Sequence, residues 1–511
     1  MLDRSTTAGQ LVDMLGSWHH RGPSYRALAE RVRVLILDGR LPPGTRLPSE
    51  RSLAAALQSS RTTVAAAYTL LREAGFLASR RGSASRTQVP PGGRATGGSA
   101  MAAGAFGSAI APLSDGDGPP DGDDMLDLGA AAMPAPTAMV EAVEAAVHSL
   151  PAHLGGHGYT TLGVPALREL LAERYTARGL PTSPDQLLVM GGTLQALALV
   201  LRAFVSPGDR VLVDHPTYPN ALEAVRQVPA RAVPVPLRPT DWDVPMLEAT
   251  LRQAAPRLAY LVPDFHNPTG LLMSTAARER VAAAVGRTRT LTIVDETVAE
   301  LALDVPPDQL PPPLAAYDRR ERMLLIGSTS KTFWGGVGVG WLRAPRSLVP
   351  TLIAARVASD LGTSVLSQLT AAELLLRREP ILLERREMLR SRRAALAAAL
   401  GEHLPDWRFQ LPPGGLSLWC ELDIPVSSTL AAMAGQYGVR LAAGPKFGTD
   451  GAFERFVRLP YTLPEPALAA AVERLARVYA SLEASWPSEG AGARTARGAA
   501  RLADDLTPIV T

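Results

Sequence analysis

The chain has 511 residues, of which 46% are hydrophobic; this is too long for one ordinary core and predicts two or three domains. Its single cysteine, Cys420, excludes an intramolecular disulfide framework and is typical of a buried thiol on a strand. The first residues lack the basic and apolar stretches of a signal peptide, and no apolar run reaches membrane-spanning length. We therefore expect a cytoplasmic protein without membrane contact, and we predict no metal site.

The net charge of +3 is distributed unevenly along the chain. The first 90 residues hold 13 arginines and 6 acidic residues, whereas the rest of the chain is mildly acidic. A compact basic segment on an acidic body indicates a nucleic-acid contact at one end, although a solvated charged surface gives the same count.

The basic segment has the pattern of three helices and a hairpin. Apolar residues recur at helical spacing over 25–38, and the run GRLPPGTRLPS then ends the helix. A second helix follows Ser49, whose hydroxyl can cap it, and a third helix runs from Arg61 to Gly75. The run GFLASRRGSASRTQV is typical of a short hairpin with a basic tip. This order predicts a winged helix-turn-helix, mostly α-helical, whose third helix fits the major groove of DNA.

This segment resembles the GntR family of bacterial transcription regulators over residues 24–89. The matching words are GRLPPGTRLPSERSLA, SRTTVAAAYTLLREAGFL and SRRGSAS. We expect the DNA-binding domain to span residues 20–89. The resemblance implies that DNA is contacted by Arg51, Arg61, Thr62 and Thr63, and by Arg81 and Gly82 at the tip of the wing.

The chemistry of these side chains agrees with that role. Arginine can donate two hydrogen bonds to guanine, hydroxyls at a helix start can bind phosphate, and a wing glycine allows close approach to the DNA backbone. For Arg51, a surface ion pair with Glu50 or Glu73 is the alternative. One turn into the third helix, residues 65–67 are all alanine, so we expect little base readout there and more from the wing and from DNA shape.

Residues 90–124 are rich in Gly, Ala, Ser, Pro and Asp and show no helical or strand periodicity. Such a composition is typical of a flexible tether, and it predicts that residues 125–485 fold as a separate body. The tail from 486 to 511, rich in Gly, Ala and Arg, is predicted to be disordered.

In the body, short apolar runs alternate with helical runs, and each apolar run ends in a turn with polar residues. The apolar runs are LLVM, RVLVD, LAYLVPD, LTIVDE and MLLIGST. This alternation predicts βα units around a parallel sheet, with a ligand site at the carboxyl ends of the strands.

Several of these strand ends hold side chains that suit one cofactor. Gly192 precedes a helix whose free N–H groups, at Thr193 and Leu194, can bind a phosphate. Tyr218 can lie against a planar heterocycle, although an isolated tyrosine more often belongs to a core. Asn267, in a turn before proline, can donate to a phenolic oxygen.

Two further residues suggest the chemistry of the site. Asp295 ends an apolar strand, where a buried carboxylate needs a cationic partner such as a protonated pyridine nitrogen. Lys331, in GSTSKTFWGGVGVG, is one of two lysines among 52 basic residues. An amine can form a Schiff base, whereas a guanidinium cannot. Lys331 therefore either has a chemical role that arginine could not fill, or it is a lysine without a specific function.

The words GGT, PTYPN, HNPTG, VDE and SxSK occur in the order and rough spacing of the fold-type I aminotransferases, which the body resembles throughout. The resemblance implies an α/β fold with large and small subdomains and the cofactor pyridoxal phosphate. It implies that Lys331 forms the Schiff base (aldimine), that Asp295 holds the ring nitrogen and that Tyr218 stacks on the ring. Ser328 and Ser330 would hold the phosphate.

The resemblance also implies that Arg458, in RFVRLPY, binds a substrate carboxylate through two hydrogen bonds. A structural ion pair is the alternative for this arginine. Two positions of the cofactor site depart from the family pattern. Gly338 replaces an arginine that neutralises the phosphate, and Thr297, which we still expect beside the cofactor, replaces a tyrosine that donates to the cofactor O3′. The loss of both contacts predicts weak cofactor binding and favours a sensor over a fast catalyst.

A GntR-like head on an aminotransferase-like body is the arrangement of the MocR/GabR subfamily. The resemblance implies a homodimeric transcription regulator that binds operator DNA and senses pyridoxal phosphate, an amine or an amino acid through Lys331. Two alternatives remain open. The body could be a cofactor-free dimerisation scaffold, or the chain could be a working aminotransferase with a DNA-binding head, which is the least favoured of the three.

Overall fold

The computed structural model describes residues 5–15, 24–37, 41, 45–78, 85–88, 125–449 and 451–485. The predicted linker 90–124, the predicted tail 486–511 and the wing-tip residues Arg81 and Gly82 lie outside the described residues. In chain order, the head contains α1 (Ala8–Leu15), α2 (Ser24–Leu37), α3 (Glu50–Ala56), α4 (Arg61–Glu73), β1 (Leu77–Ala78) and β2 (Arg86–Thr87).

The helices of the head share one apolar core. The predicted cap of α3 is confirmed, because the Ser49 hydroxyl accepts a hydrogen bond from Ser52 N at 3.1 Å. The paired strands β1 and β2 confirm the predicted hairpin. Helix α1 was not predicted, yet Leu11 and Leu15 on it are fully buried against the other head helices.

The body is an α/β unit with two sheets. Its elements in chain order are β3 (Leu126–Leu128), α5 (Met139–Ser149), α6 (Pro165–Ala177), β4 (Leu187–Met190), α7 (Thr193–Phe204), β5 (Arg210–His215), α8 (Pro219–Gln227), β6 (Arg231–Pro236), α9 (Val244–Ala254), β7 (Leu258–Leu261), α10 (Thr275–Thr288), β8 (Leu291–Asp295), β9 (Met323–Ser328), β10 (Gly340–Arg343), α11 (Val349–Arg356), α12 (Val365–Leu376), α13 (Arg378–His403), β11 (Ser417–Glu421), α14 (Ser427–Ala434), β12 (Val439–Ala443), β13 (Phe456–Pro460) and α15 (Glu465–Ser485).

The larger sheet has the strand order β4-β10-β9-β8-β7-β5-β6. All five apolar runs identified in the sequence form strands, namely β4, β5, β7, β8 and β9. The predicted parallel pairing holds for β5 to β9, whereas β10 runs antiparallel to both of its neighbours, which the sequence did not predict. The connection from β9 to β10 is too short for a crossover, so the chain returns in the opposite direction. Strand β6 escaped prediction because its prolines are unusual in a strand and are tolerated here only at the sheet edge.

Helices cover both faces of this sheet, which explains why its strands are continuous apolar runs. In β4, Leu187 and Val189 pack on one face while Leu188 and Met190 pack on the other. A strand that is buried on both faces needs apolar side chains at every position.

The smaller sheet has the order β11-β13-β12-β3 and forms a second subdomain with α13, α14 and α15. Strand β3 pairs with β12 although the two lie at opposite ends of the body sequence. The predicted large and small subdomains are thereby confirmed. Cys420 is fully buried in β11, and burial raises the pKa of its thiol. Within the described ranges, no helix is long and apolar enough to cross a membrane.

Candidate functional site

A cavity lies between the two subdomains, at the carboxyl ends of the strands of the larger sheet. It brings together four of the side chains predicted from the sequence, Lys331, Arg458, Tyr218 and Asn267. The other residues that line it are Ala130, Ala131, Ala132, Phe265, His266, Gly270, Val298, Leu416 and Ser417.

Lys331 enters the cavity from a π-helical turn, Ser330–Trp334, that follows β9 directly. Its Nζ donates a hydrogen bond to the Ala131 carbonyl oxygen at 2.7 Å. Burial, and then the nearby Arg458 guanidinium, lower the pKa of Lys331 to about 8. The neutral, nucleophilic amine is therefore far more abundant at neutral pH than it is for an exposed lysine.

Asp295, at the end of β8, has a carboxylate that is supported by three donors. One oxygen accepts from the backbone N–H of Thr297 at 2.9 Å and from the Thr297 hydroxyl, and the other accepts from the Tyr260 hydroxyl at 2.7 Å. Burial raises the pKa of Asp295, while these hydrogen bonds and the charge of Lys331 oppose the rise. The three donors favour the charged form and leave one acceptor position for another partner.

The contacts of Asp295 involve one residue that was not predicted and one whose observed contact differs from the predicted contact. Tyr260 was missed in the sequence, and the only signal for it was a hydroxyl inside an otherwise apolar strand. Thr297 was predicted to contact a cofactor, but its hydroxyl donates to Asp295. A direct contact of Thr297 with a cofactor stays a prediction.

A backbone cradle lies at the start of α7. Gly192 precedes the helix with φ +154°, and the half-buried residues Thr193 and Leu194 begin it. Strand β10 passes close by, since a Cβ added to Gly340 would lie 2.7 Å from the Gly192 Cα. Gly338 leads into the same strand with φ +64°, and a Cβ added to it would meet nothing within 4 Å. The cradle therefore offers the positive end of a helix and free space at 338.

The two serines before the lysine have local roles as well. The Ser328 hydroxyl donates to the Val339 carbonyl oxygen at 3.2 Å and accepts from the Ser330 N–H at 3.1 Å. Ser328 thus joins the end of β9 to the segment that precedes β10, while the half-buried Ser330 begins the π-helical turn. Their contact with a phosphate stays a prediction.

Arg458 lies on β13, opposite the lysine, and is 4% exposed. It donates to the Gly129 carbonyl oxygen and lies over the Phe447 ring at 5.2 Å, while its Nε has no hydrogen-bond partner among the described residues. Burial lowers its pKa to about 10. No salt bridge to a carboxylate is found for Arg458 in the described part of the chain, so the structural ion pair considered from the sequence is not seen. A buried guanidinium in this state suits an anionic ligand.

Tyr218 and Asn267 complete the same wall. Tyr218 lies at the amino end of α8, and its hydroxyl accepts a hydrogen bond from the Asn220 amide at 3.0 Å. The amide oxygen of Asn267 is buried without a partner in the described residues. An unsatisfied buried amide oxygen suits a ligand that places a hydrogen-bond donor at that point, and the donation by Asn267 to a phenolic oxygen stays a prediction.

The residues present fit pyridoxal phosphate. Lys331 supplies the amine for its aldehyde, Asp295 supplies an acceptor for its ring nitrogen, and the Gly192 cradle supplies a helix end for its phosphate. The site and the fold together define a pyridoxal phosphate-binding, aminotransferase-like body.

The predicted DNA-binding residues of the head that the structure describes lie at the starts of α3 and α4. Arg51, Arg61 and Thr62 are exposed, and Arg61 Nε is 3.9 Å from a Glu50 oxygen. This contact shows that the two helix starts lie side by side. The Arg61 side chain is 73% exposed, so this loose ion pair leaves it available to DNA.

The hydroxyls at the start of α4 form one cluster. Ser60 caps the helix by accepting from Thr63 N at 3.0 Å, and its hydroxyl also bonds those of Thr62 and Thr63 at 2.7 and 2.8 Å. One turn further along, Ala67 is fully buried in the head core. Ala67 therefore packs in the core of the head and is not available to read DNA.

Two family models match the chain. Bacterial regulatory proteins of the gntR family match residues 24–86, and aminotransferase class I and II matches residues 123–475. The uncharacterized HTH-type transcriptional regulator YisV of Bacillus subtilis (strain 168) is 28% identical over 86% of this chain and 92% of its own length. The probable rhizopine catabolism regulatory protein MocR of Rhizobium meliloti is 28% identical over 75% of this chain and 78% of its own.

A solved structure shows the same similarity for the body. The α-aminoadipate aminotransferase LysN of Thermus thermophilus, complexed with N-(5'-phosphopyridoxyl)-L-leucine, aligns with a TM-score of 0.65 and 30% identity. The alignment covers 70% of this chain and 93% of LysN.

The chain therefore belongs to the aminotransferase class I and II family and, with its GntR head, to the MocR/GabR subfamily of GntR-type regulators. It is a DNA-binding transcription regulator fused to an aminotransferase-like domain. The family and the solved relatives imply pyridoxal phosphate as its cofactor.

Proposed function

We propose that the body is a sensor that binds pyridoxal phosphate at Lys331 and a small amino acid in the same cavity, and that this binding controls the operator affinity of the head. The main observation is Arg458, a buried guanidinium that has no carboxylate partner in the described residues and lines the same cavity as Lys331. Lys331 and Arg458 line the same cavity, so an amino acid whose carboxylate binds Arg458 would lie beside a cofactor held at Lys331.

The rest of the cavity favours an apolar effector side chain. Phe265, Val298 and Leu416 line it, together with three alanines. His266 also lines it, but burial lowers the pKa of this imidazole to about 3 and keeps it neutral. With Arg458 assigned to the α-carboxylate, the described lining offers no second cation for an acidic side chain. L-Leucine is therefore the first effector to test.

The residues of the site divide the work between them. Pyridoxal phosphate, when bound, supplies an aldehyde and an electron-withdrawing ring. Lys331 provides the amine, Asp295 stabilises a proton on the ring nitrogen, and Arg458 orients the carboxylate of the amino acid. Gly338 provides no cation at the cradle and Thr297 no phenol, which suits a protein that must release its cofactor or effector in order to sense it.

We propose that the regulator is a homodimer. Helix α5 exposes Val140, Val143 and Val147 at helical spacing, by 65%, 38% and 49% of their surfaces. Leu154 and Tyr159, which follow, are 68% and 61% exposed. A patch of this kind is typical of a protein interface. Sedimentation should give a dimer for the wild type and a monomer for Val140→Glu/Val147→Glu; a monomeric wild type would reject the proposal.

Absorbance spectroscopy tests the sensor directly. Addition of pyridoxal phosphate to the purified chain should give a saturable visible band that is absent in Lys331→Ala, and L-leucine should then change that band. DNA fragments that the protein itself selects from random sequence should bind with an affinity that depends on both ligands. No band at any concentration would leave the body as a scaffold, and steady release of keto acid would make it an enzyme.

A further inference from the structure

The head contacts the small subdomain through an ion pair. Helix α2 packs against α14, and Arg31 Nη1 lies 3.1 Å from Glu454 Oε2. Both side chains are largely shielded, at 15% and 22% exposed. Arg31 Nε also donates to the Leu15 carbonyl oxygen at 3.0 Å, so the head itself orients the guanidinium. Removal of one partner from such a shielded pair leaves the other charge poorly solvated, so a single substitution should weaken the contact.

Glu454 is held in place by the small subdomain independently of the head. Its carboxylate accepts from Ser428 N at 2.9 Å and from the Ser428 hydroxyl at 2.8 Å, near the start of α14. Its own carbonyl oxygen accepts from Ser427 N at 3.0 Å. The acceptor for Arg31 is therefore preorganised on the body.

Residues 444–449 and 451–455, here called the clamp loop, connect this contact to the cavity. At one end, the Phe447 ring lies 5.2 Å from the Arg458 guanidinium, and the Phe447 carbonyl oxygen accepts from Thr217 N at 2.8 Å. At the other end, Phe453 precedes Glu454 and packs against His215 with ring centroids 4.6 Å apart. The clamp loop thus contacts Arg458, the turn before Tyr218 and the docked head.

We infer that α14 and the clamp loop form the docking surface for the head of this regulator, and that the loop couples docking to occupancy of Arg458. A carboxylate that binds Arg458 competes with its contacts to Phe447 and Gly129, which changes the support of the clamp loop. Linkage requires that the effector changes the equilibrium constant of docking by some factor, and that docking changes the affinity for the effector by the same factor. Loss of the head contact should therefore change the effector affinity. The docking stands on the contact alone, whereas the coupling rests on the proposed effector function.

Cross-linking tests the docking. Ala27→Cys on α2 and Ala452→Cys on the clamp loop leave the ion pair intact, and the native Cys420 is buried. A short bismaleimide should link the full-length variant with Ala27→Cys and Ala452→Cys rapidly. The matched control, which combines Ala27→Cys with Gln253→Cys on α9, should remain unlinked. A product of one-chain or two-chain size supports the surface and tells whether the head belongs to the same chain or to the other copy. Linking no faster than in the Gln253 pair would overturn it.

Absorbance titration tests the coupling without DNA. Glu454→Gln keeps an acceptor for Ser428 but removes the charge, and Arg31→Gln removes the other partner. Each should shift the pyridoxal phosphate or L-leucine midpoint by about 2- to 5-fold, in the same direction, with no further shift in the double variant. Arg33→Gln, whose partner Glu30 lies in the head, is the control and should have no effect. If the wild type shows the band and the variants have the same midpoints as the wild type, the coupling is rejected. If the wild type shows no band, the sensor function itself is rejected.

Discussion

Replacement of Gly338 by arginine should separate cofactor affinity from stability. The residue lies in the left-handed region with φ +64°, so a side chain there costs the fold about 1–2 kcal/mol, with or without cofactor. The space around its Cβ is open, and an arginine can reach the neighbouring cradle. A charge-assisted hydrogen bond to phosphate contributes about 1.5–3 kcal/mol, which corresponds to a roughly 10- to 150-fold tighter Kd. We expect Gly338→Arg to bind pyridoxal phosphate more tightly while its cofactor-free form melts at a lower temperature.

The matched control is Gly338→Ala, which introduces the backbone strain without the cation. Both variants should lose similar thermal stability in the cofactor-free form, and only the arginine variant should gain affinity in the absorbance titration. The gain should fall as salt rises, because it is electrostatic. If the two variants bind the cofactor equally well, the phosphate does not lie next to residue 338, and the prediction that Gly338 weakens cofactor binding is wrong.

Three further substitutions test the site and the head. The rate at which Lys331 reacts with pyridoxal phosphate should have a pH midpoint near 8 in stopped-flow absorbance. Arg458→Met should move this midpoint upward, because the cation that disfavours the ammonium form of Lys331 is removed. An unchanged midpoint would show that the two groups do not interact. Tyr260→Phe removes a donor that lowers the pKa of Asp295, so the loss of cofactor binding as pH falls should begin at a higher pH, as measured by titration from pH 8 downward. Arg61→Ala should weaken operator binding by roughly 1–3 kcal/mol in a mobility-shift assay if Arg61 reads a base, and an unchanged footprint would exclude it from readout.

Much of the local structure follows from the sequence alone. Ser49 before a helical pattern predicts the start of α3, since a cap acts on residues only three positions away. The run LLVM predicts β4 because a strand buried on both faces needs an apolar residue at each position. The positions of Asp295 and Lys331 just after apolar runs were likewise readable, whereas their roles and that of Arg458 stay predictions from the family resemblance.

Only the tertiary structure decided which distant groups meet. The pairing of β3 with β12, the Tyr260 hydroxyl on Asp295 and the Arg31–Glu454 contact each join residues that are far apart in the chain. Periodicity and capping report interactions within a few residues, and they contain no information about partners brought together by chain folding. The burial that shifts the pKa of Lys331, and that leaves Arg458 without a carboxylate partner among the described residues, is likewise a property of packing between two subdomains, which exists only once both have folded.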